Sequence, residues 1–304
     1  MTNSDRVPFL KWPGGKRWLA PAIAQLLGNG QGRHIEPFVG SGACFFSSSA
    51  TGALLADINP DLIAAFRTVK NDPSSLIQSL SRMRIDKKTY NRIRATRPPT
   101  NLRRAIRLLY LTRTAFNGLY RVNQKGDFNV PFGCKPTTRI CDPSHIHACS
   151  RRLARATLAA QDFGVTLALV RDCDRVFIDP PYTVRHDNNC FRRYNECIFS
   201  WKDQQRLARL ANSLASSGVK TIVTNAMHAE IRSLYDPSAF HAFRVTRATN
   251  MAACAEARGS CHELLLVSQS IYKSASDARE TLNVHLAGRV VTTRLHHRLA
   301  EYLH

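Results

Sequence analysis

Asp179-Pro180-Pro181-Tyr182 is the segment of this chain best equipped for chemistry. It follows Arg175-Val176-Phe177-Ile178, an apolar run that reads as a buried strand, so the four residues stand at that strand's carboxyl end. In open α/β sheets, ligands bind in the crevice beyond those ends. The tetrad supplies a carboxylate acceptor, two residues without backbone donors, and an aromatic face. That set suits a planar exocyclic amine. The Asp179 carboxylate and the Pro180 carbonyl can accept its two N–H groups while Tyr182 stacks on the ring. Four residues are a short motif, and a strand ending in a Pro-rich turn would look the same.

A second candidate site precedes it. Glu36-Pro37-Phe38-Val39-Gly40-Ser41-Gly42 reads as a strand, a glycine turn and the start of a helix. Such a turn exposes backbone N–H groups and lets a ligand approach the main chain. The third glycine of a dinucleotide fingerprint is absent, since Phe45 stands there, which disfavours a diphosphate. Asp57 closes the next apolar run, 17 residues after Gly40, and suits two hydrogen bonds to ribose hydroxyls. An ordinary helix-leading acid is the alternative for Asp57. Gly14-Gly15-Lys16 lacks P-loop spacing: Leu10 stands six before Lys16 and Arg17 replaces the Ser/Thr.

These residues need a scaffold, and the pattern supplies an α/β one. A helix is expected over 17–27, a strand over 34–39, a strand over 53–57, and a helix over 61–70 capped by Asn59-Pro60. From 72 to 150 the pattern turns helical (74–83, 87–95, 101–115). A Gly/Asn-rich stretch follows, in which two β-capable runs flank Gln124-Lys125-Gly126-Asp127 as a hairpin or ordered loop. Strands resume at 157–160, 175–178, 219–224, 240–246 and 263–268, with a helix over 204–216. Residues 72–150 therefore read as an inserted helical subdomain, 1–71 with 151–273 as the α/β domain, and 274–304 as a helix or exposed tail.

The net charge of +21 over 304 residues points to a polyanionic partner. Residues 82–121 hold twelve Lys or Arg and one acid, Asp86, a local balance of 12 − 1 = +11. A solvated helix face is the bland account of that stripe. Self-repulsion of so one-sided a run favours phosphate contact. A membrane surface would want an apolar aromatic face that the stripe lacks, and no apolar run approaches the ~18 residues needed to span a bilayer. The first residues show no basic and apolar leader. Nine cysteines, none in a C-x-x-C pair, fit a reducing compartment. Cys141, His145, His147 and Cys149 match no common zinc spacing, and no metal is expected. Trp201 reads as a helix-start packing residue, and His34 and His228 as ordinary polar residues.

In order along the chain stand Phe9-Leu10-Lys11-Trp12-x-Gly14-Gly15-Lys16, Glu36-Pro37-Phe38-x-Gly40-x-Gly42, Asp57-Ile58-Asn59, Asn117-Gly118-Leu119-x-Arg121-x-Asn123 with Phe128-Asn129-Val130-Pro131-Phe132-Gly133, and the Asp179 tetrad. Together they resemble the D12 class of DNA adenine-N6 methyltransferases, of the DNA-adenine-methylase type, over about residues 8–268. The resemblance implies a Rossmann-like, mixed α/β methyltransferase sheet, mostly parallel with an antiparallel late strand, carrying an inserted helical DNA-recognition subdomain. It implies S-adenosyl-L-methionine as methyl donor and a flipped adenine in duplex DNA, GATC by preference, as acceptor.

By that resemblance Trp12 and Lys16 contact the cofactor. Phe38, Gly40 and Gly42 form the turn at its methionine side, Asp57 holds its ribose, and Asp162 and Phe163 flank its adenine. Asp179 touches its reactive end and, with Pro180, Pro181 and Tyr182, receives the target amine. Lys11, Asn117, Leu119, Arg121, Asn123 and Pro131 fall at DNA-contacting positions. Phe116 or Asn117 fills the space the base leaves, and Arg121 reads a guanine edge. Transfer is expected in line, with no covalent enzyme intermediate. Two departures stand out: Cys134 then Lys135 where a basic residue often comes first, and an unusual stretch over 183–191 that includes Cys190, expected to be an inert thiol. Cytosine N4, a protein glutamine amide, and a DNA-binding regulator on an inactive scaffold are the rival readings. The first two usually place Ser or Asn before Pro-Pro-Tyr. Intact Lys16, Asp57 and Asp179 argue against the third. A cytoplasmic, nucleoid-associated monomer with a cognate restriction endonuclease as candidate partner completes the expectation.

Overall fold

The computed structural model describes residues 6–123, 125–133, 138–182, 199–248, 260–286 and 290–291. The sequence expectations for Gln124, Cys134, Lys135 and 183–191 lie outside them. The chain divides into two compact units: residues 1–24 with 29–170, and residues 25–28 with 171–304.

In the first unit, β1 (His34–Glu36), β2 (Ala53–Asp57) and β3 (Ala156–Ala160) run parallel in the order β3-β2-β1. β2 is buried along Ala53-Leu54-Leu55-Ala56 and emerges at Asp57. β1 is shorter than the expected 34–39, because Pro37 offers no ladder donor and the chain then turns. α1 (Ala20–Leu27) starts three residues later than expected, since Arg17 is used to bind the Pro8 and Leu10 carbonyls (3.1 and 2.9 Å). α2 (Ala43–Ser47) follows the glycine turn.

α3 (Pro60–Asn71) begins as the sequence implies. Asn59 Oδ1 accepts from the Asp61 and Leu62 amides, and Pro60 occupies the first position, where its missing N–H costs nothing. Against α3 pack α6 (Asn101–Thr114) and α7 (Pro143–Leu153), while α4 (Pro73–Ser81) and α5 (Lys87–Arg94) pack on α6. Asp72, Asp86, Thr100 and Asp142 cap these four helices through their side chains. One apolar cluster runs from Phe66 and Val69 on α3 through Leu76, Tyr90, Leu108 and Leu111 to Ile146 and Leu153. α7 is an element the sequence reading passed over. Its Asp142-Pro143 start was the available signal.

In the second unit, β4 (Arg175–Ile178) and β5 (Lys220–Ala226) are parallel, and β7 (Ser260–Ser268), β6 (Phe240–Ala248) and β8 (Val290–Val291) extend the order β4-β5-β7-β6-β8 antiparallel. The expected antiparallel late strand is thus a set of three. α9 (Trp201–Ser216) opens on a reciprocal capping box between Ser200 and Asp203 and packs on β5. α10 (Ala229–Arg232) follows β5, and α11 (Ala275–Leu286) is helical over the first residues of the 274–304 stretch. No helix among the described residues is long and apolar enough to cross a membrane.

Candidate functional site

The turn after β1 is set by its neighbours on both sides. Glu36, 2% exposed, accepts from the Phe45 amide and from His34 Nε2, both at 2.7 Å, and so fixes the return of the chain into α2. The Val39 amide donates to the Ala56 carbonyl (2.8 Å). Between them Gly40 and Gly42 take φ of 48° and 70°, where a side chain is strained. A Cβ on Gly40 would lie 3.0 Å from Trp12 Cδ1, so the backbone passes directly beside the indole.

Asp57 stands at the end of β2 beneath this turn. Its Oδ2 accepts from the Gly40 amide (3.2 Å) and its Oδ1 from the Asn59 amide (3.0 Å). Burial pushes the carboxyl up to about 6, against the pull of these two hydrogen bonds. The Phe38 and Phe163 rings stack at 5.3 Å and 28°, and Asp162 caps α8 (Phe163–Leu167) through the Gly164 amide (2.8 Å). Lys16 is buried, with Nζ on the Gly14 carbonyl (3.1 Å). The structure therefore gathers Trp12, Gly40 and Asp57 in one place.

Tyr120, which the sequence reading left unassigned, joins them. Its ring stacks on Trp12 (4.6 Å, 30°) and its hydroxyl accepts from Asn59 Nδ2 (3.2 Å). It belongs to the Gly/Asn-rich stretch, whose architecture is now visible. Phe116 is 51% exposed on a rigid mount, with its amide on the Pro131 carbonyl (2.9 Å). Gly133 passes so close that a Cβ there would lie 2.3 Å from Phe116 Cα. Asn117 holds φ 54°, and the Lys11 side chain reaches beside Gly118. Leu119 is half-buried and packs on the apolar cluster. Arg121 Nε donates to Asn129 Oδ1 (2.8 Å). Asn123 Oδ1 accepts from the Lys125 and Asp127 amides and so holds the hairpin closed by the Val122–Phe128 bridge.

The basic stripe over 82–121 divides in two. Arg94, Arg97, Arg104, Arg107, Arg113 and Arg121 bind groups of this chain. Burial lowers the pKa of Arg107 and of Arg113. Arg82, Arg84, Lys87, Lys88, Arg92 and Arg103 are exposed.

In the second unit, Asp179 follows β4. Its Oδ1 accepts from Thr224 Oγ1 (2.6 Å) and faces the Tyr182 hydroxyl (3.3 Å), which also reaches Glu263 Oε2 (3.0 Å). Burial, then the carboxylates of Asp179 and Glu263, hold the Tyr182 hydroxyl well above its ordinary pKa. Pro180 is buried. The Pro181 carbonyl accepts from Gln204 Nε2 (3.4 Å), whose Oε1 in turn accepts from Asn225 Nδ2 (2.9 Å). Thr224, Gln204 and Asn225 are each fully buried, and Glu263 is 5% exposed. None of the four was singled out from sequence. The signal for Glu263 was there: a lone acid heads the apolar run Leu264-Leu265-Leu266-Val267, and a buried charge requires partners.

The Cys/His set around α7 makes other bonds. His145 Nε2 and Cys149 Sγ both turn to the Val7 carbonyl, while His147 is exposed. Ligand atoms of His34, Glu36 and Cys44 lie within 4.8 Å of one another, but Glu36 is committed to His34 and the Phe45 amide.

Comparison with known proteins accords with this geometry. Residues 12–251 match the family described as D12 class N6 adenine-specific DNA methyltransferase. A Type II methyltransferase of Lactococcus lactis subsp. cremoris is 34% identical over 269 residues, covering 85% of this chain and 94% of that protein. A DNA adenine methylase of Haemophilus influenzae is 33% identical over 248 residues, covering 79% and 86%. A DNA adenine methylase of Vibrio cholerae serotype O1 is 32% identical over 246 residues, covering 79% and 88%.

Proposed function

The chain belongs to the D12 class of N6 adenine-specific DNA methyltransferases, and we propose that it moves a methyl group from S-adenosylmethionine to the N6 amine of an adenine flipped from duplex DNA, with GATC as the first candidate site. The residues fit that cofactor. The left-handed glycine turn lets a ligand lie against the main chain. Asp57 offers a carboxylate to a ribose diol. The Phe38–Phe163 pair offers a flat apolar surface to a purine. Trp12 and Lys16 border the same turn. When bound, the cofactor supplies a methyl group already activated on a cationic sulfur.

The chain's own residues then orient and polarise. The Asp179 carboxylate and the Pro180 carbonyl accept the N–H groups of the amine and raise electron density on N6. Thr224 holds the carboxylate, and Tyr182 offers its ring to the base. No side chain forms a covalent bond. The target base is inaccessible inside the stack, so extrusion costs a few kcal/mol. Phe116 or Asn117 occupies the vacancy. Arg121, steadied by Asn129, reads a guanine edge, worth about 1–3 kcal/mol of discrimination. Lys11, Leu119, Asn123 and Pro131 line the approach.

Residues 72–150 carry target recognition, 1–71 and 151–273 carry cofactor and chemistry, and 274–304 have no assigned role. The protein acts at the nucleoid as a monomer, with a restriction endonuclease as candidate partner. The observation that supports this reading most is the Asp179 carboxylate anchored by Thr224 beyond the end of β4. Incubation with methyl-labelled cofactor and duplexes with or without GATC tests it. Label in the N6 of GATC adenines alone is expected. An unlabelled duplex would refute the activity, and label in GATC-free duplex would refute the site.

A further inference from the structure

Tyr182 carries one hydroxyl proton and stands between two carboxylates, Glu263 Oε2 at 3.0 Å and Asp179 Oδ1 at 3.3 Å. The proton can serve either. If it settles on Asp179, it competes with the incoming amine for acceptor density. Glu263 offers the nearer acceptor, from a strand position fixed by pairing with Ala226 on β5, and it is 5% exposed. Burying a carboxylate beside another carboxylate is unfavourable unless hydrogen-bond donors such as this hydroxyl hold it.

We infer that Glu263 is a positioning residue that draws the Tyr182 proton away from Asp179, so that Asp179 takes no second hydroxyl proton beside that of Thr224 and keeps acceptor capacity for the target amine. This rests on the proposed role of Asp179. Tyr182 thereby does two jobs: its ring faces the base, and its hydroxyl is parked on Glu263. Thr224 meanwhile donates to the same Asp179 oxygen and holds its orientation.

The inference demands a rescue that simple packing would not give. In Glu263→Ala the hydroxyl turns to Asp179, and kcat should fall about ten- to a hundredfold, the span of one charge-assisted hydrogen bond. Adding Tyr182→Phe removes the competing proton, so the double variant should recover to the level of Tyr182→Phe alone. Glu263→Gln retains an acceptor oxygen and should keep most of kcat. Cofactor and DNA dissociation constants should stay within a few-fold throughout. Should Glu263→Ala not fold, Glu263→Leu serves in the same cycle. A double variant as slow as the single, or a Glu263→Ala enzyme at full kcat, overturns the inference. A wild-type protein that transfers no methyl group refutes the proposed function instead, so the two failures are distinct.

Discussion

Lys87, Lys88 and Arg92 on α5 offer the sharpest test of how the basic stripe works. All three are exposed. The helix that carries them is pinned from beneath, because buried Tyr90 donates its hydroxyl to the Val130 carbonyl (2.7 Å) in the loop proposed to meet DNA. A phosphate contact releases counterions, and each one adds about 0.9 to the slope of log K against log salt. Replacing all three with Ala should lower the slope by up to about 2.7 (3 × 0.9). Over a fourfold rise from 50 to 200 mM KCl, the wild-type protein should therefore lose about 40-fold more affinity than the variant. Fluorescence anisotropy of a labelled duplex across that range measures both slopes. Arg107→Ala is the control. That guanidinium binds the Ile93 and Arg94 carbonyls (3.3 and 2.9 Å), so its loss should cost about 1.5–3 kcal/mol of stability and leave the slope alone. An unchanged slope in the triple variant, or an equal change in Arg107→Ala, would refute the division of the stripe into free and structural cations.

Asp179→Ala should abolish methyl transfer while salt-dependent duplex binding persists; loss of both together would break the proposed separation of chemistry from recognition. Thr224→Val removes the 2.6 Å donor to Asp179 and should lower kcat about tenfold or more with little change in cofactor affinity, read by single-turnover labelling. Asp57 must be ionised to accept from a ribose diol, and its free carboxyl titrates near 6. Cofactor affinity should therefore hold above pH 6 and fall below it, and calorimetry on Asp57→Asn should give weaker binding with a flat profile. Gly133→Ala would place a Cβ 2.3 Å from Phe116 Cα, so it should cost about 1–3 kcal/mol in a thermal melt and weaken duplex binding.

The scaffold was legible because it obeys local rules. Asn59-Pro60 announces α3, and the apolar runs at 53–56 and 175–178 announce β2 and β4 with an acid at each exit. The glycine turn and Asp57 were legible as a pair because the strand–turn–helix pattern fixes where both must lie. What stayed hidden depends on side chains that meet only after folding. Thr224 reaches Asp179 because parallel pairing sets Val223 opposite Ile178, a register no local pattern reveals. Glu263 reaches Tyr182 across 81 residues of chain. Arg107 and Arg113 looked like surface charge by composition, yet they serve backbone carbonyls of Ile93, Arg94 and Phe9.

Tyr120 shows why the two halves of the motif set cannot be treated as separate in space. By sequence it sits among residues proposed to contact DNA, two positions from Gly118 and next to Arg121. By contact it lies on Trp12 and holds Asn59, whose amide donates to Asp57, whose other oxygen receives the Gly40 amide. A turn built this way has no slack between its parts: Gly40 admits no Cβ beside the indole without a shift, and the indole is fixed against the Tyr120 ring. Substitution at Tyr120 should consequently move cofactor affinity as well as duplex affinity, whereas substitution at Lys88 should move only the latter. The difference follows from where each side chain ends, on another ring or in water.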